Sequence, residues 1–318
     1  MIYKRVILVI VFFLSIVVFP VFGAYHIENI NQFINIHYFN KQFKENVGYW
    51  GVFNNFHFFM NNKNNDVHLY NYSTMEFKNK YKISIDKRNR QLGKIRNITF
   101  LDNKVWVLDQ RNRVSLFEFR DNSFLLQGLF YLTGIEVVYN IKVTPKGLFA
   151  FGKNYKNEFK LISYTKMGNQ KKVIKGFGEN IKGNIILSRD DKGNILYGFK
   201  HSSKVRYFND KNITYKLSNE IKYIKKEDYE NKNGLLYNMA IVDNFLIASY
   251  WTVNSGGLLE IYNKKTKELA VTASYPIGEG RVYKKGIFVY RTSFQDNKLR
   301  SFIMELDMSK ILEYLKNK

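Results

Sequence analysis

An apolar run, a short polar turn and a second apolar run recur six times along this chain, and their spacing limits the fold more than any other feature. The pairs are Asn54–Phe59 with Asp66–Tyr72, Lys104–Asp109 with Arg113–Phe119, Gly147–Gly152 with Phe159–Tyr164, Asn194–Phe199 with Lys204–Phe208, Asn244–Ser249 with Gly257–Tyr262, and Gly286–Arg291 with Leu299–Leu306. A third run usually precedes the pair, as at Asn97–Leu101, Tyr139–Val143, Ile185–Ser188, Tyr237–Val242 and, more weakly, Arg281–Tyr283. Equivalent positions Phe56, Val105, Leu148, Ile195, Phe245 and Ile287 stand 49, 43, 47, 50 and 42 residues apart. A period in the forties made of three or four strands is the sequence signature of a β-propeller blade. The expected fold is all-β, a six-bladed propeller with a short C-terminal helix.

The middle runs carry little alternation, as in Val105-Trp106-Val107-Leu108 and Phe245-Leu246-Ile247-Ala248. Strands packed on both faces lose the period of two, and stacked blades bury their middle strands in this way. Asp102-Asn103, Lys146-Gly147, Lys192-Gly193-Asn194, Asp243-Asn244 and Lys285-Gly286 all fall just before the second run. These residue types suit tight antiparallel turns.

The second copy carries the most specific set: an apolar-aromatic-apolar strand, Asp109 at its end, Asn112 in the turn, and Arg113-Val114 opening the next strand. It resembles the repeat of bacterial six-bladed propellers of the NHL-like and TolB-like kind. The turn is one residue shorter than the usual NHL form, and the other five copies keep only the strand pattern. The resemblance implies an architecture. It leaves function open between binding proteins, receptors and enzymes, because propellers host all three.

A ring needs its ends joined. Gln32–Phe39 is strand-like, and the last copy runs out of chain after Leu306. The N-terminal segment is therefore expected to supply the outer strand of the last blade. Asp307 can cap a helix in which Met308, Ile311, Leu312 and Leu315 follow i, i+3, i+4, i+7 spacing. Ser218–Gly234 mixes lysines with acids and reads as an excursion between the fourth and fifth copies.

Residues 1–23 read as a signal peptide ahead of a single domain, 24–318. Lys4 and Arg5 precede the apolar stretch Val6–Phe19, then Pro20 breaks it and Val21-Phe22-Gly23 offers a cleavage site. The alternative is an uncleaved anchor, since no charge occurs from Val6 to Ile27. Left uncleaved, residues 6–22 would hold the protein at the membrane. Either way the body lies outside the cytoplasm, in the periplasm or cell envelope, or anchored in the inner membrane facing outward. The chain has no cysteine, which excludes disulfides, a thiol nucleophile and lipoprotein acylation.

Fifty Lys and Arg against 27 Asp and Glu give a net charge of +23. Such an excess favours anionic partners, and export argues against nucleic acid. The expected partner is a protein or an anionic glycan or lipid headgroup. The turns from second to third strand carry Lys63, Arg111, Arg113, Lys153, Lys156, Lys204 and Lys298, and these are the candidate ligand-binding residues. Arg113 has a competing structural use, pairing with Asp109 across its own turn. No catalytic residue, metal ligand set or cofactor is assigned. His57 and His68, on neighbouring strands, are the one two-histidine possibility. Glu136, Asn140, Asn184, Asn238, Glu279 and Asp109 would serve the alternative, an envelope hydrolase or lyase acting at the channel mouth.

Overall fold

A computed structural model describes residues 25–27, 30–39, 47–61, 64–83, 94–177, 185–190, 192–199, 204–208, 212–216, 236–252, 256–275, 279–283, 286–295 and 298–317. The signal region, Lys63 and the 218–234 stretch lie outside them.

The molecule is a β-propeller, and among the described residues its strands are joined by a short C-terminal helix. The described strands form six sheets, five of four strands and one of five. Sheet 1 holds β3 to β6 (Val47–Phe53, Phe56–Asn61, Asp66–Asn71, Phe77–Lys82). Sheet 2 holds β7 to β10 (Ile95–Leu101, Lys104–Asp109, Arg113–Arg120, Ser123–Tyr131), and sheet 3 holds β11 to β14 (Val137–Thr144, Gly147–Lys153, Phe159–Tyr164, Gln170–Phe177). Sheet 4 holds β15 to β18 (Ile185–Arg189, Ile195–Phe199, Lys204–Phe208, Asn212–Lys216). Sheet 5 holds β19 to β22 (Leu236–Val242, Phe245–Thr252, Gly256–Asn263, Leu269–Tyr275), and β1 (Tyr25–Ile27) adds to it in parallel along β22. Sheet 6 holds β23 to β25 (Glu279–Tyr283, Gly286–Gln295, Lys298–Asp307) and β2 (Ile34–Tyr38).

The N-terminal strand completes the last sheet as the sequence implies. Ile34–Tyr38 runs antiparallel to Phe302–Leu306, with Ile36 opposite Met304. The parallel addition of β1 to sheet 5 was not expected.

Among the described residues, apolar clusters fill the seams between successive sheets. Phe58 and Val67 meet Val105 and Phe117 between sheets 1 and 2. Trp106 and Leu116 meet Ile141 and Leu148 between sheets 2 and 3. Phe149 and Phe151 meet Ile195 and Tyr197 between sheets 3 and 4, and Leu196 and Val205 meet Met239 and Leu246 between sheets 4 and 5. Ile247 and Leu259 meet Met304 and Leu306 between sheets 5 and 6. Ile303 and Phe39 then meet Phe59, Tyr70 and Trp50 between sheets 6 and 1. This explains the lost alternation: Val105 and Val107 face one seam while Trp106 and Leu108 face the next.

The turns follow from their residues. Asn54, Asp102 and Asp243 adopt φ of 55°, 52° and 51° at the first turn position, which short polar side chains tolerate. Two turns from third to fourth strand share the motif Asn-x-x-Thr-x-Glu, at Asn71–Glu76 and Asn263–Glu268. In the first, Asn71 Oδ1 accepts from the backbone N–H of Ser73 and Thr74. In the second, Asn263 Oδ1 accepts from Lys265 and Thr266.

The closing helix, α1 (Met308–Lys316), is capped by Asp307, whose side chain accepts from the N–H of Ser309 and Lys310. Met308 and Ile311 are buried in the seam between sheets 5 and 6, with Leu312 against it. The side chain of Leu315 lies outside the described residues.

Candidate functional site

The turns from second to third strand and the loops from outer strand to next inner strand share one end of the ring. Sheets 2 and 3 define that end best. At the turn between β8 and β9, the Asp109 side chain is fully buried. Its Oδ1 accepts from the backbone N–H of Arg111 at 2.9 Å and of Arg113 at 3.1 Å. Its Oδ2 accepts from Arg113 Nε at 2.9 Å and lies 2.7 Å from Nη2. The Arg113 guanidinium is thus committed to its own turn.

Asn112 sits between them with φ 59° and ties sheet 2 to sheet 3. Its Oδ1 accepts from Val138 N–H at 2.9 Å and from Arg96 at 3.2 Å, and its amide donates to the Glu136 carbonyl. Arg96 also donates to the Val138 carbonyl at 2.8 Å. These bonds hold the turn rigid and leave the Arg111 side chain exposed at its tip.

The turn between β12 and β13 copies this geometry with other residues. Asn154 Oδ1 accepts from the backbone N–H of Lys156 at 3.0 Å and of Glu158 at 2.9 Å. Its amide donates to Glu158 Oε2 at 2.9 Å. That bond, with Lys160 and Lys156 nearby, holds the Glu158 carboxyl below the usual carboxylate range. Asn157, like Asn112, adopts φ 59°. At the tip Tyr155 is 78% exposed, and the Lys156 ammonium stands 5.8 Å from its ring centroid. Half-buried Lys153 lies 4.7 Å from the Phe159 ring centroid.

Of the candidate cations, Arg111, Arg113, Lys153 and Lys156 thus come from neighbouring turns of sheets 2 and 3. Lys204 and Lys298 open the third strands β17 and β25, and their side chains, like all of Lys63, lie outside the described residues. Tyr155 was missed by the sequence reading, although its place beside Lys156 in a turn was visible.

Of the channel-mouth set, Glu136 is exposed, and its backbone carbonyl accepts from Asn112. Asp109 is held by its turn. Asn140 donates to the Ile185 carbonyl at 3.2 Å, and Asn238 accepts from the N–H of Met239. Asn184 and the Glu279 side chain lie outside the described residues.

His57 and His68 occupy diagonal positions on one face of sheet 1 but take different aromatic partners. His57 stacks on Tyr72 at 5.1 Å, and His68 lies 5.9 Å from Phe77. Burial, with the nearby His37, lowers the His57 pKa to about 3. Among the described residues no group of three or more His, Asp or Glu is placed to hold a metal ion. Nor is any helix there long and apolar enough to cross a membrane.

No family model matches the sequence, and no curated protein matches it. Solved structures match the fold. An exported-type protein, so named, from Bacteroides fragilis NCTC 9343 is 12% identical with TM-score 0.58, over 88% of this chain and 97% of that one. A member of the DUF4221 family from Bacteroides vulgatus ATCC 8482 is 12% identical with TM-score 0.58, over 85% and 96%. The β-propeller domain of Cps50 (Swd1) from Myceliophteria thermophila is 13% identical with TM-score 0.51, over 85% and 98%. At such identities the likeness concerns the fold alone.

Proposed function

We propose that this protein is an exported, non-catalytic β-propeller of the cell envelope. In this reading its six sheets are the blades of one ring, and the turn end of sheets 2 and 3 binds an anionic glycan. One observation carries the ligand reading: the exposed Tyr155–Lys156 pair on one rigid turn, beside exposed Arg111 on the neighbouring one. An aromatic face covers the apolar face of a sugar ring, and the flanking cations match its carboxylate or sulfate. Arg113 supports the turn in this reading and does not meet the ligand. The excess of Lys and Arg over Asp and Glu raises the local concentration of any polyanion. Export rests on Lys4-Arg5, the apolar stretch after them, Pro20 and Gly23. It agrees with the name of the Bacteroides fragilis protein that shares the fold.

The test is calorimetric titration with polygalacturonate at low and high salt. Binding should weaken as salt rises, and fall at least about tenfold in Tyr155→Ala and in the double variant Arg111→Gln, Lys156→Gln. Absence of binding, or equal binding by the variants, would overturn the ligand reading. A preference for anionic vesicles over the polysaccharide would redirect it to a lipid headgroup.

A further inference from the structure

The inner strand β11 is not regular. Its register against β12 slips between Val138 and Asn140, which makes Tyr139 the bulged residue. The same slip occurs on the inner strands of sheets 1, 2 and 5, at Gly48, Arg96 and Tyr237. A bulge turns one side chain out of the ladder, and bulges are frequent beside functional sites for that reason. In sheet 2 the bulged Arg96 bends back onto Asn112 and the Val138 carbonyl. In sheet 3 the bulged residue is a large aromatic, 38% exposed.

This bulge is pinned on both sides. Val138, before Tyr139, is held by Asn112 and Arg96 of sheet 2. Asn140, after it, donates to the Ile185 carbonyl of sheet 4. Gly152 lets the two strands close here, since a Cβ at that position would run into the Val137 carbonyl. The Tyr139 ring rests on buried Phe159 and Phe151, with centroids 6.0 and 6.4 Å away. Lys153 is the register partner of both Val137 and Phe159, and its ammonium stands 4.7 Å from the Phe159 centroid. An exposed aromatic beside a cation on rigid backbone thus occurs twice at this end of sheet 3, as Tyr155 with Lys156 and as Tyr139 with Lys153.

We infer that Tyr139 and Lys153 form a second subsite of the site proposed above, so that its ligand is a run of several acidic sugars and not a single one. This rests on the glycan reading of Tyr155 and Lys156. Tyr155 stands two residues beyond Lys153, and Tyr139 lies one strand away, so the two rings are on the order of 10 Å apart. One sugar ring cannot lie on both. Arg111 lies on the sheet 2 side and Tyr139 at the mouth of the seam between sheets 3 and 4, which sets a path across the end of sheet 3. Exposed Glu136 stands on the same rim. It repels a uniformly anionic polymer but accepts from sugar hydroxyls, which suits a glycan over a polyphosphate.

Ligand length separates this inference from the reading it rests on. In calorimetric titration the parent should bind hexagalacturonate about tenfold or more tighter than digalacturonate. Tyr155→Ala should weaken both ligands. Tyr139→Ala should weaken the hexamer about tenfold and leave the dimer unchanged, and Tyr139→Phe, which keeps the ring, should bind like the parent. Lys153→Gln should weaken the hexamer and flatten its salt dependence. Because Tyr139→Ala also uncovers Phe159, Tyr139→Trp is a second probe, whose fluorescence should respond to the hexamer and not to the dimer. Equal affinity for dimer and hexamer, a Tyr139→Ala protein that keeps the parent's preference for the hexamer, or a Tyr139→Trp signal unmoved by bound hexamer would each overturn the inference while the Tyr155 site stands. A parent that binds neither ligand would overturn both.

Discussion

Replacing Arg113 by Gln should destabilise the fold, and replacing Arg111 by Gln should not, although the two lie in one turn. Asp109 is fully buried and Arg113 is 15% exposed at its side chain. The guanidinium supplies two close contacts to Oδ2, at 2.9 and 2.7 Å. Charge-assisted hydrogen bonds contribute roughly 1.5–3 kcal/mol each where solvent is excluded. The carboxylate keeps its two backbone N–H donors in the variant, which limits the loss to about 2–4 kcal/mol. At about 2 °C per kcal/mol for a domain of this size, the melting temperature should fall by roughly 4–8 °C. Arg111 is exposed, and its removal should change stability by less than about 0.5 kcal/mol. Thermal and urea unfolding of both variants decide the matter. An Arg113→Gln protein as stable as the parent, or an Arg111→Gln protein as unstable as Arg113→Gln, would refute the reasoning.

Three further outcomes follow from the same structure. His57 is held neutral by burial, with a pKa of about 3 against 6.5 when unfolded. The unfolded chain therefore binds the proton first, and stability present above pH 6.5 is lost as pH falls toward 3. Between pH 6.5 and 5 the loss from this group is about 2 kcal/mol, and His57→Phe should remove that slope in urea titrations. Phe59→Ala in the seam between sheets 6 and 1 should cost about 3–5 kcal/mol, seen as a lower urea midpoint at unchanged slope. Mass spectrometry of the exported protein should find a mature N-terminus at Ala24, and an intact Met1 in the membrane fraction would favour the anchor instead.

The sheets were legible because their period is long-range and redundant: five matching turns and two-faced middle strands each repeat the same register. The strand from Ile34 and the Asp307 cap were legible for local reasons, an apolar run before the first copy and an acid before a helical stripe. β1 was not, since three residues carry no period. The site was half legible. Asp109 and Arg113 were visible as a pair, but nothing in the sequence decides whether an arginine in a turn reaches solvent or its neighbour's carboxylate. The equivalence of Asn154 and Glu158 to that pair was hidden because the residues differ and only the i, i+4 spacing is shared. The repeated Asn-x-x-Thr-x-Glu turn, at Asn71–Glu76 and Asn263–Glu268, was visible in the sequence but its side-chain bonds to the backbone were not.

The central claim is a single ring closed by the N-terminal strand on sheet 6. It is tested most directly by cysteines at Asn35 and Glu305, which are Cα partners across β2 and β25. Antiparallel partners lie about 4.5–5.5 Å apart, within the span of a disulfide. In a chain with no other cysteine, oxidation of the folded monomer should give a complete intramolecular disulfide, and the melting temperature should rise. Two free thiols in the folded protein, or a bond that forms only after unfolding, would contradict the closure.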